Sequence, residues 1–583
     1  MKKKTKIVAT IGPASDKEEV LREFFLSGVN VCRLNFSHGT HESHKKTMDR
    51  IKALREDMGL AIALMMDTKG PEIRTGQMEE GPILLEEGDR YDFLSQEVLG
   101  DQHQASLSYK DLWKDISPGQ TLLVDDGLLA MEVEEVEEGR IRARALNRGE
   151  IGSHKGINLP GAKVRLPSLT PKDVEDIRFG LAQEVDFIAA SFIRRAEDIL
   201  AIRKILEENQ ASQIKIIAKI ENQEGLDNLD AIVDVADGVM VARGDLGVEV
   251  DTEEIPLIQK AMIQRCVEEG IPVITATQML DSMIRNPRPT RAETTDVANA
   301  IFDGTSAIML SGETASGAYP VEAVKTMCRI AKKTEESLDY DLHMRRAEKN
   351  MDLTTSNTIA RSAVVMAQEL QVAAIVVATV SGYSSRAVAK FRPKEPIIAV
   401  TPNPRALRQM ALNWGVQGIL APDPVEDVLE ETVPQALKAG LIKEGDLVVF
   451  TAGIPQGIAG STNLIKVHQV ANAVAKGLGI GKDKAIGTAC VVNRRGDHSR
   501  DFTEGDILVA PAYDPSLVPL LDRAGGLVIE EEGMTSGGAL AGLSANIPTI
   551  VGAKGALKKI RHRQTITINA QSGEVWLGNV DSR

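Results

Sequence analysis

The sequence contains few aromatic residues, few cysteines and no long apolar run, and each shortage excludes a class of protein. Aromatic residues make up 3% of its 583 residues and acidic residues outnumber basic ones 83 to 68, so no nucleic-acid surface of basic and stacking side chains is expected. Cys32, Cys266, Cys328 and Cys490 are isolated, which argues against a disulfide framework or a zinc site. The longest apolar run, 372–380, is too short to span a bilayer. We expect a cytoplasmic protein that binds neither nucleic acid nor membranes.

Eight short apolar runs of strand length lie within the first 350 residues: 5–11, 29–34, 61–67, 186–192, 214–220, 238–242, 272–276 and 305–310. Their continuous hydrophobicity indicates strands buried on both faces. Amphipathic helical stretches separate most of the runs, so the pattern predicts a closed (β/α)8 TIM barrel. Nearly every run ends in chemically capable side chains, which a barrel collects at the carboxyl ends of its strands.

The rest of the chain departs from this alternation of strands and helices. From Gly70 to about Pro167 short runs alternate with turn signals, which predicts an inserted all-β lid. A second α/β series follows, and the glycine-rich stretch 477–482 is interpreted as a linker. The length agrees with three to four domains. The predicted domains are a barrel over 1–69 and 168–345, a β lid over 70–167, an α/β regulatory domain over 354–475 and an additional swivelling α/β domain over 483–583.

Lys219, Glu221 and Asp245 form the first candidate site. Positions 219 and 221 of a strand point to the same side, so an amine and a carboxylate reach a common space. Two carboxylates suit Mg²⁺ or Mn²⁺, and a lysine beside the metal would offset charge on a transferring phosphoryl group or an enolate. The alternative is an ion pair that closes the barrel mouth.

Other polar residues follow neighbouring strands. Asn, Ser, Asp and Thr oxygens suit a hard cation, and arginines suit phosphate or carboxylate; the residues concerned are Arg33, Asn35, Ser37, His38, Asp67, Thr68, Lys69, Glu72 and Arg74. His38 is also interpreted as a cap of the next helix. Thr277, Ser311 and Glu313 could relay a proton, although hydroxyls at strand ends more often bond to backbone.

The stretch 379–385 places small hydroxyl residues and a glycine between a strand and a helix. A helix N-terminus there could hold a phosphate, or the stretch is an ordinary turn. These patterns together indicate a metal-dependent barrel enzyme that acts on a small anion. They leave phosphoryl transfer and carbanion chemistry both open.

Several longer strings carry a resemblance to a known family: 5–13 (TKIVATIGP), 33–39 (RLNFSHG), 67–74 (DTKGPEIR), 217–222 (IAKIEN), 240–247 (MVARGDLG) and 275–280 (TATQML). In this order, from residue 5 to about 473, they closely resemble the pyruvate kinase family. The resemblance implies transfer of the phosphoryl group of phosphoenolpyruvate to ADP, which yields ATP and enolpyruvate that is then protonated to pyruvate.

The resemblance also implies a role for each matching position. Catalysis falls to Lys219, Thr277 and Arg33. Phosphoenolpyruvate would contact Arg33, Lys219, Gly244, Asp245 and Thr277. The divalent metal, Mg²⁺ or Mn²⁺, would be held by Glu221 and Asp245. The K⁺ ligands would be Asn35, Ser37, Asp67 and Thr68. The nucleotide would contact Asn35, Phe36, Ser37, His38 and Arg74.

Three further expectations depend on the resemblance. Glu72 matches the form of the family that needs K⁺, so K⁺ dependence is predicted. A phosphorylated allosteric effector would bind at Thr379, Ser381, Gly382, Ser384 and Ser385. The family is usually tetrameric, so a homotetramer is expected.

The last hundred residues resemble the mobile phosphohistidine domain of phosphoenolpyruvate-utilising enzymes, through the stretches 533–543 and 547–552. Gly537 occupies the position of the phosphorylated histidine, so we expect a structural or interfacial domain rather than a phosphocarrier. Two other hypotheses remain: a metal-dependent lyase of the enolate type, which would not need the nucleotide-side Arg74 and Lys69, and a decayed relative kept for binding, which the intact catalytic positions argue against.

Overall fold

The computed structural model describes residues 3–422, 428–454, 460, 462–470, 473–481, 483–493, 496–497 and 501–579. Parts of the predicted domains 1–69, 354–475 and 483–583 and the end of the predicted linker 477–482 lie outside the described residues. Two compact units divide the chain. The first comprises Met1–Gln368, Val377–Asp423 and Thr451–Leu464, and the second comprises Glu369–Val376, Pro424–Phe450 and Ile465–Arg583.

The strands within the described residues are β1 (Lys6–Thr10), β2 (Val31–Asn35), β3 (Ala63–Asp67), β4 (Ile73–Arg74), β5 (Ile83–Leu85), β6 (Arg90–Leu94), β7 (Gln104–Ser106), β8 (Thr121–Val124), β9 (Leu129–Glu137), β10 (Arg140–Ala145), β11 (Gly149–Ile151), β12 (Gly156–Asn158), β13 (Phe187–Ala190), β14 (Lys215–Ile220), β15 (Gly238–Ala242), β16 (Val273–Ala276), β17 (Ala307–Leu310), β18 (Ala374–Ala378), β19 (Ile397–Thr401), β20 (Val416–Leu420), β21 (Leu447–Gly453), β22 (Thr462–Gln469), β23 (Ala473–Lys476), β24 (Leu478–Ile480), β25 (Lys484–Asn493), β26 (Gly496–Asp497), β27 (Ile507–Ala510), β28 (Gly526–Ile529), β29 (Thr549–Val551), β30 (Thr565–Asn569) and β31 (Glu574–Leu577).

The α-helices are α1 (Glu18–Ser27), α2 (His41–Asp57), α3 (Pro171–Ala182), α4 (Ala196–Glu208), α5 (Gln223–Asp227), α6 (Leu229–Val235), α7 (Arg243–Glu249), α8 (Ile255–Glu269), α9 (Arg291–Asp303), α10 (Gly312–Ala315), α11 (Pro320–Glu335), α12 (Tyr340–Glu348), α13 (Thr355–Glu369), α14 (Tyr383–Lys390), α15 (Pro404–Gln409), α16 (Val428–Lys438), α17 (Val518–Leu521), α18 (Gly537–Ser544) and α19 (Ala556–Lys559).

The predicted barrel is confirmed. Eight strands close into one ring in the order β1, β17, β16, β15, β14, β13, β3 and β2, and neighbouring strands run parallel. Residues Val8, Met65, Ile217, Met240 and Met309 belong to one buried cluster. Because such a barrel is filled by side chains, it is a packed core, and the carboxyl ends of its strands are the place for chemistry.

Local sequence signals set the ends of the barrel helices. Thr40 caps α2: its hydroxyl accepts a hydrogen bond from the backbone N–H of Ser43, and the Ser43 side chain accepts one from the N–H of Thr40. The interpretation of His38 as the cap is therefore wrong, because the helix begins after Thr40. Helices α8 and α9 end at Gly270 and Gly304, whose positive φ values of 81° and 102° favour glycine.

Between β3 and α3 the chain forms β structure. Seven strands make a sheet in the order β4, β12, β8, β9, β10, β6 and β7, and β5 pairs with β11 in a smaller sheet. A buried cluster that includes Tyr91, Phe93, Leu122, Met131 and Ile141 holds this insertion together. In the later part of the first unit, β19 and β20 pair in parallel, with α14 and α15 close to them in the chain.

The second unit contains a sheet in the order β23, β31, β30, β25, β27, β28, β29 and β24, with β26 paired to β25. Strand β24 pairs antiparallel with β29, so Leu478–Ile480 is part of this sheet. The linker interpretation of 477–482 is therefore wrong for these residues. Glycine suits a strand where backbones approach closely, since a Cβ on Gly479 would stand 1.7 Å from the carbonyl oxygen of Ala570.

Within the described part of the chain, no helix combines the length and the apolar character that crossing a membrane requires.

Candidate active site

A buried network of charged side chains lies where barrel strands β3 and β14 end. Lys219 Nζ is 3.0 Å from Asp67 Oδ1 and 2.9 Å from Glu221 Oε1, and it donates to Ser191 Oγ at 2.6 Å. The Lys219, Asp67 and Glu221 side chains are 11%, 1% and 2% exposed. The structure therefore brings together a cation and two carboxylates in a site that excludes most water.

Arg33 joins the same network from β2. Its Nε is 2.6 Å from Asp67 Oδ2, and its Nη1 donates to Thr10 Oγ1 at 2.9 Å. Asp67 thus lies between two cations, Arg33 and Lys219. This arrangement holds both cations at the barrel mouth.

The pKa values follow from burial and from these pairs. Burial alone would lower the pKa of Lys219, but the nearby Asp67 and Glu221 carboxylates raise it above its ordinary value. Burial would likewise raise the pKa of Asp67, yet Arg33 and Lys219 lower it below its ordinary range. Lys219 is therefore cationic and Asp67 anionic at neutral pH.

Glu221 and Asp245 are the two carboxylates predicted to hold a divalent metal. Burial raises the pKa of Glu221 to about 7, and burial also raises the pKa of Asp245. Asp245 lies in the first turn of α7, just beyond β15, and within the described chain its carboxylate has no cation within 4 Å. A buried and a half-buried carboxylate whose charge is only partly offset fit Mg²⁺ or Mn²⁺, which takes one or two protein carboxylates plus other oxygens.

Thr277 and Gly244 meet at the neighbouring strand ends. Thr277 Oγ1 accepts a hydrogen bond from the Gly244 N–H at 2.8 Å and donates to the Ala276 carbonyl at 2.7 Å. Thr277 has a φ of 68°, a conformation that is uncommon for a β-branched residue. Arg243 holds this turn, because its Nη2 donates to the Thr277 carbonyl at 2.7 Å while its Nη1 is 2.7 Å from Asp296 Oδ1.

Ser311 and Glu313 do not join Thr277 in a described hydrogen-bond relay. Glu313 accepts the backbone N–H groups of Leu280 at 3.0 Å and Ser311 at 2.8 Å, so its carboxylate braces the loops. Thr277 likewise bonds to backbone, which is the alternative interpretation of strand-end hydroxyls.

A cavity of about 450 Å³ lies beside Asp245, within the size range of small-molecule sites. Its lining includes Glu72 and Arg74, together with Lys155 and Arg194. Arg74 is held on one side by Glu72 Oε2, 2.5 Å away, and donates to the His154 carbonyl at 2.7 Å.

The other predicted nucleotide residues follow β2. Asn35 is half-buried, Ser37 and His38 are exposed, and the Asn35 Oδ1 accepts the Ser37 N–H at 3.1 Å. Phe36 differs from them, because its ring is buried and stacks on His44 with ring centroids 4.2 Å apart. The Phe36 side chain thus packs in the interior.

The predicted K⁺ residues lie on adjoining strands. Asp67 and Thr68 are buried, and Thr68 Oγ1 accepts the Ser191 N–H at 3.1 Å. Asn35 pairs in register with Asp67 across β2 and β3, so their backbones are adjacent. Uncharged and anionic oxygens of this kind suit a hard monovalent cation.

The predicted effector residues form the turn before α14. Gly382 has a φ of 82°, and its N–H donates to Thr379 Oγ1 at 3.0 Å. Ser384 Oγ is 2.7 Å from Thr462 Oγ1, Ser385 Oγ donates to the Gly382 carbonyl at 2.8 Å, and Ser381 Oγ accepts the Tyr383 N–H at 3.4 Å. No described side chain caps the start of α14, although the turn itself satisfies several of the hydroxyls.

Ser191 has no assigned role in the sequence-based site, yet it connects the network. Its Oγ accepts from Lys219 and donates to the Thr68 carbonyl at 2.6 Å, and the next N–H, of Phe192, donates to Glu221 Oε2 at 2.6 Å. A hydroxyl directly after a barrel strand is the only signal that the sequence offers. Many such hydroxyls bond to backbone alone, so the signal does not distinguish this one.

In the second unit, Gly537 begins α18, and Ser536 caps the helix by accepting the Ala539 N–H at 3.3 Å. A Cβ at Gly537 would stand 2.7 Å from Tyr513 Cδ1. The position therefore has no room for a larger side chain unless Tyr513 moves.

Fold and site together define a class: a (β/α)8 barrel with buried cations and carboxylates at the carboxyl ends of its strands. Models of known protein families match three stretches of the chain and agree with this fold. Residues 2–324 match the pyruvate kinase barrel domain, 357–468 match the pyruvate kinase alpha/beta domain, and 502–573 match the mobile domain of PEP-utilising enzymes.

Known proteins of similar sequence match this chain along almost its whole length. A pyruvate kinase of Geobacillus stearothermophilus is 50% identical, one of Sporosarcina psychrophila 48% and one of Staphylococcus epidermidis 47%, each with 99% of both chains covered. The chain belongs to the pyruvate kinase family, and it is a phosphotransferase.

Proposed function

We propose that the buried network around Lys219 is the catalytic centre of this enzyme. The chain transfers the phosphoryl group of phosphoenolpyruvate to ADP and yields pyruvate and ATP, the last step of glycolysis. The observation that carries the proposed centre is the convergence of Lys219, Asp67 and Glu221 within 3.0 Å contacts at the carboxyl ends of barrel strands. Phosphoryl transfer needs positioned positive charge more than covalent chemistry.

Lys219 and Arg33 supply that charge from side chains. Each is held by Asp67, so each keeps a fixed direction without reorganising during the reaction. We assign Lys219 to the transferring phosphoryl group and to the enolate oxygen, and Arg33 to the phosphate of phosphoenolpyruvate. Burial strengthens both interactions, because water does not screen them.

Glu221 and Asp245 would hold Mg²⁺ or Mn²⁺ in this proposal. The bound ion would supply further positive charge to the oxygens of the substrate. The Lys219 ammonium lies 2.9 Å from Glu221, which keeps that carboxylate oriented.

Gly244, Asp245 and Thr277 would contact the carboxylate of phosphoenolpyruvate. The Gly244 N–H already engages Thr277 Oγ1 at 2.8 Å, so the turn is preformed. Thr277 would also lie near the carbon of the enolate that accepts a proton, which makes it a catalytic residue in this assignment. Its hydroxyl would orient the proton donor.

Asn35, Ser37, Asp67 and Thr68 would bind K⁺. Glu72 supports this assignment, since its carboxylate adds no positive charge at a position where a lysine would supply it. The nucleotide would lie against Arg74, whose guanidinium is fixed by Glu72 and lines the 450 Å³ cavity, and against the segment of Asn35, Phe36, Ser37 and His38.

We also propose a phosphorylated effector at Thr379, Ser381, Gly382, Ser384 and Ser385, a homotetrameric assembly and a cytoplasmic location. The positive φ of Gly382 at the start of α14 supports the first of these, because turns of this kind and helix N-termini are places where proteins bind phosphate.

A coupled assay with phosphoenolpyruvate, ADP, Mg²⁺ and K⁺ tests the centre. The wild-type chain should form pyruvate and ATP, and Asp245→Asn should weaken activation by Mg²⁺ while the protein remains folded by circular dichroism. If Asp245→Asn needs no more Mg²⁺ than the wild type, the metal assignment is wrong.

A further inference from the structure

Three basic residues surround a small cavity at the end of the barrel opposite the proposed centre. Arg386, Lys390 and Arg392 line it, together with Ser306, Asn413 and Trp414, and its volume is about 10 Å³. Ser306 directly precedes β17, so the cavity is at the amino ends of the strands. No carboxylate occurs among the residues that line it.

Arg392 carries a buried charge that is not paired with any carboxylate of the described residues, although its guanidinium stands 5.0 Å from the centre of the Trp414 ring. It is 5% exposed and has a φ of 49°. Its Nη2 donates to the Gly304 carbonyl at 2.8 Å and to Ser306 Oγ at 3.1 Å, and its Nη1 donates to the Ala389 carbonyl at 3.2 Å. Its Nε has no hydrogen-bond partner within the described chain, and no carboxylate oxygen there lies within 4 Å of the guanidinium.

Lys390 is likewise 5% exposed. Its charge interacts electrostatically with the carboxylates of Glu269, Asp352 and Glu268. Among the described atoms, however, none of their oxygens lies within 4 Å of Lys390 Nζ. Glu269 is paired with Arg265 at 3.2 Å, and Glu268 accepts hydrogen bonds from two amide side chains. Glu269 and Glu268 are therefore engaged elsewhere.

Arg386 is half-buried on the same helix, and its guanidinium stands 5.6 Å from the centre of the Tyr383 ring. Helices α8 and α14 both end beside the cavity, and the carboxyl end of a helix carries a partial charge of about −0.5. Two such ends offset about one of three positive charges. A buried cation without a counterion is costly, so a net positive charge of this size needs an anion.

Burial lowers the pKa of Lys390, and burial alone lowers the pKa of Arg392 to about 9. Both directions agree with cations that lack a counterion, because an adjacent carboxylate would raise these values.

We propose that Arg386, Lys390 and Arg392 form a binding site for one monatomic anion, with chloride as the occupant. The cavity is small, about 10 Å³, which favours a monatomic ion over a polyatomic one such as phosphate or sulfate. The ion would offset about one of the two remaining positive charges between α8, α14 and the segment before β17. The site is separate from the proposed catalytic centre and does not depend on it.

Thermal unfolding of the full chain tests the proposal. The melting temperature is measured while potassium gluconate is replaced by potassium chloride at constant K⁺, because gluconate is too large for the cavity. We expect a saturable rise of about 2 °C or more, since a ligand of the native state raises Tm. Equal melting temperatures in the two salts, or a rise that does not saturate, would overturn the site.

Variants locate the effect. Lys390→Met should raise the chloride concentration at half-effect by about tenfold or more, whereas Lys394→Met, at an exposed lysine four residues further on, should leave it unchanged. If Lys390→Met does not fold, Arg386→Met replaces it with the same expectation. An unchanged midpoint in the variant used would refute the assignment.

Crystals grown in bromide provide the direct measurement. An anomalous peak between Arg386, Lys390 and Arg392 is the expected result, and a water molecule at that place in a bromide-saturated crystal would contradict the proposal.

Discussion

Replacing Lys219 with methionine is the sharpest test of the catalytic centre. Methionine keeps much of the volume of the lysine stem but removes the charge. A unit charge about 4 Å from the transferring phosphoryl group, at an effective dielectric constant of about 20, contributes about 4 kcal/mol. That energy corresponds to a loss of about a thousandfold in kcat.

The fold should survive this change. Asp67 still pairs with Arg33, whose Nε lies 2.6 Å from its Oδ2, and Glu221 Oε2 still accepts the Phe192 N–H at 2.6 Å. The pKa of Glu221 is already raised to about 7 by burial, so this carboxylate can take up a proton instead of remaining as an unpaired charge. We expect a stability cost of about 3 kcal/mol, at the lower end for breaking a buried pair.

Lys215→Met is the matched control. Lys215 starts the same strand, β14, and its Nζ is 2.9 Å from Asp237 Oδ1 at the amino end of the barrel. Its loss should lower stability and leave kcat within about twofold of the wild type, because that end of a barrel serves stability. Turnover is measured with saturating phosphoenolpyruvate and ADP. Near-normal kcat for Lys219→Met, or an equal loss for Lys215→Met, would refute the reasoning.

Three other predictions follow from the same structure. Ser191→Ala should lower kcat about tenfold with little change in the KM for phosphoenolpyruvate, because Ser191 Oγ positions Lys219 at 2.6 Å; a change in KM alone would argue against a positioning role. Glu72→Lys should reduce the ratio of turnover with K⁺ to turnover with a tetraalkylammonium salt, and a ratio equal to that of the wild type would contradict the K⁺ assignment. His343 is buried, and burial lowers its pKa from 6.5 to about 4. The unfolded chain therefore binds the proton first, and stability should fall by about 3 kcal/mol as pH drops through this window. His343→Gln should flatten the fall in melting temperature between these pH values, and parallel curves would show that another group causes it.

Much of the fold could be predicted because the signals are local. Continuous apolar runs such as 214–220 become strands buried on both faces, and β14 occupies Lys215–Ile220. Eight such units have one common closed arrangement, so the barrel followed from their number. Helix ends were less certain. The side chain that caps α2 is Thr40 and not His38, since a cap needs a short oxygen-bearing side chain within reach of the next N–H groups.

The glycine-rich stretch 477–482 shows where local signals fail. Glycine is typical of linkers, yet Leu478–Ile480 pairs with β29 because close backbone contacts there exclude a Cβ. The strand character of this stretch depends on pairing with β29, which lies about 70 residues further along the chain, so the local sequence does not reveal it.

The amino-acid sequence by itself determined the family, the barrel and the identity of the charged residues at the strand ends, because these depend on residue type and on spacing along the chain. The tertiary structure decided that Asp67 lies between Arg33 and Lys219, that Ser191 connects them, and that Arg392 is buried with no carboxylate of the described residues paired to it. Such facts rest on distances between residues far apart in sequence. Electrostatic energies in a buried site vary steeply with those distances, so spacing along the chain cannot supply them.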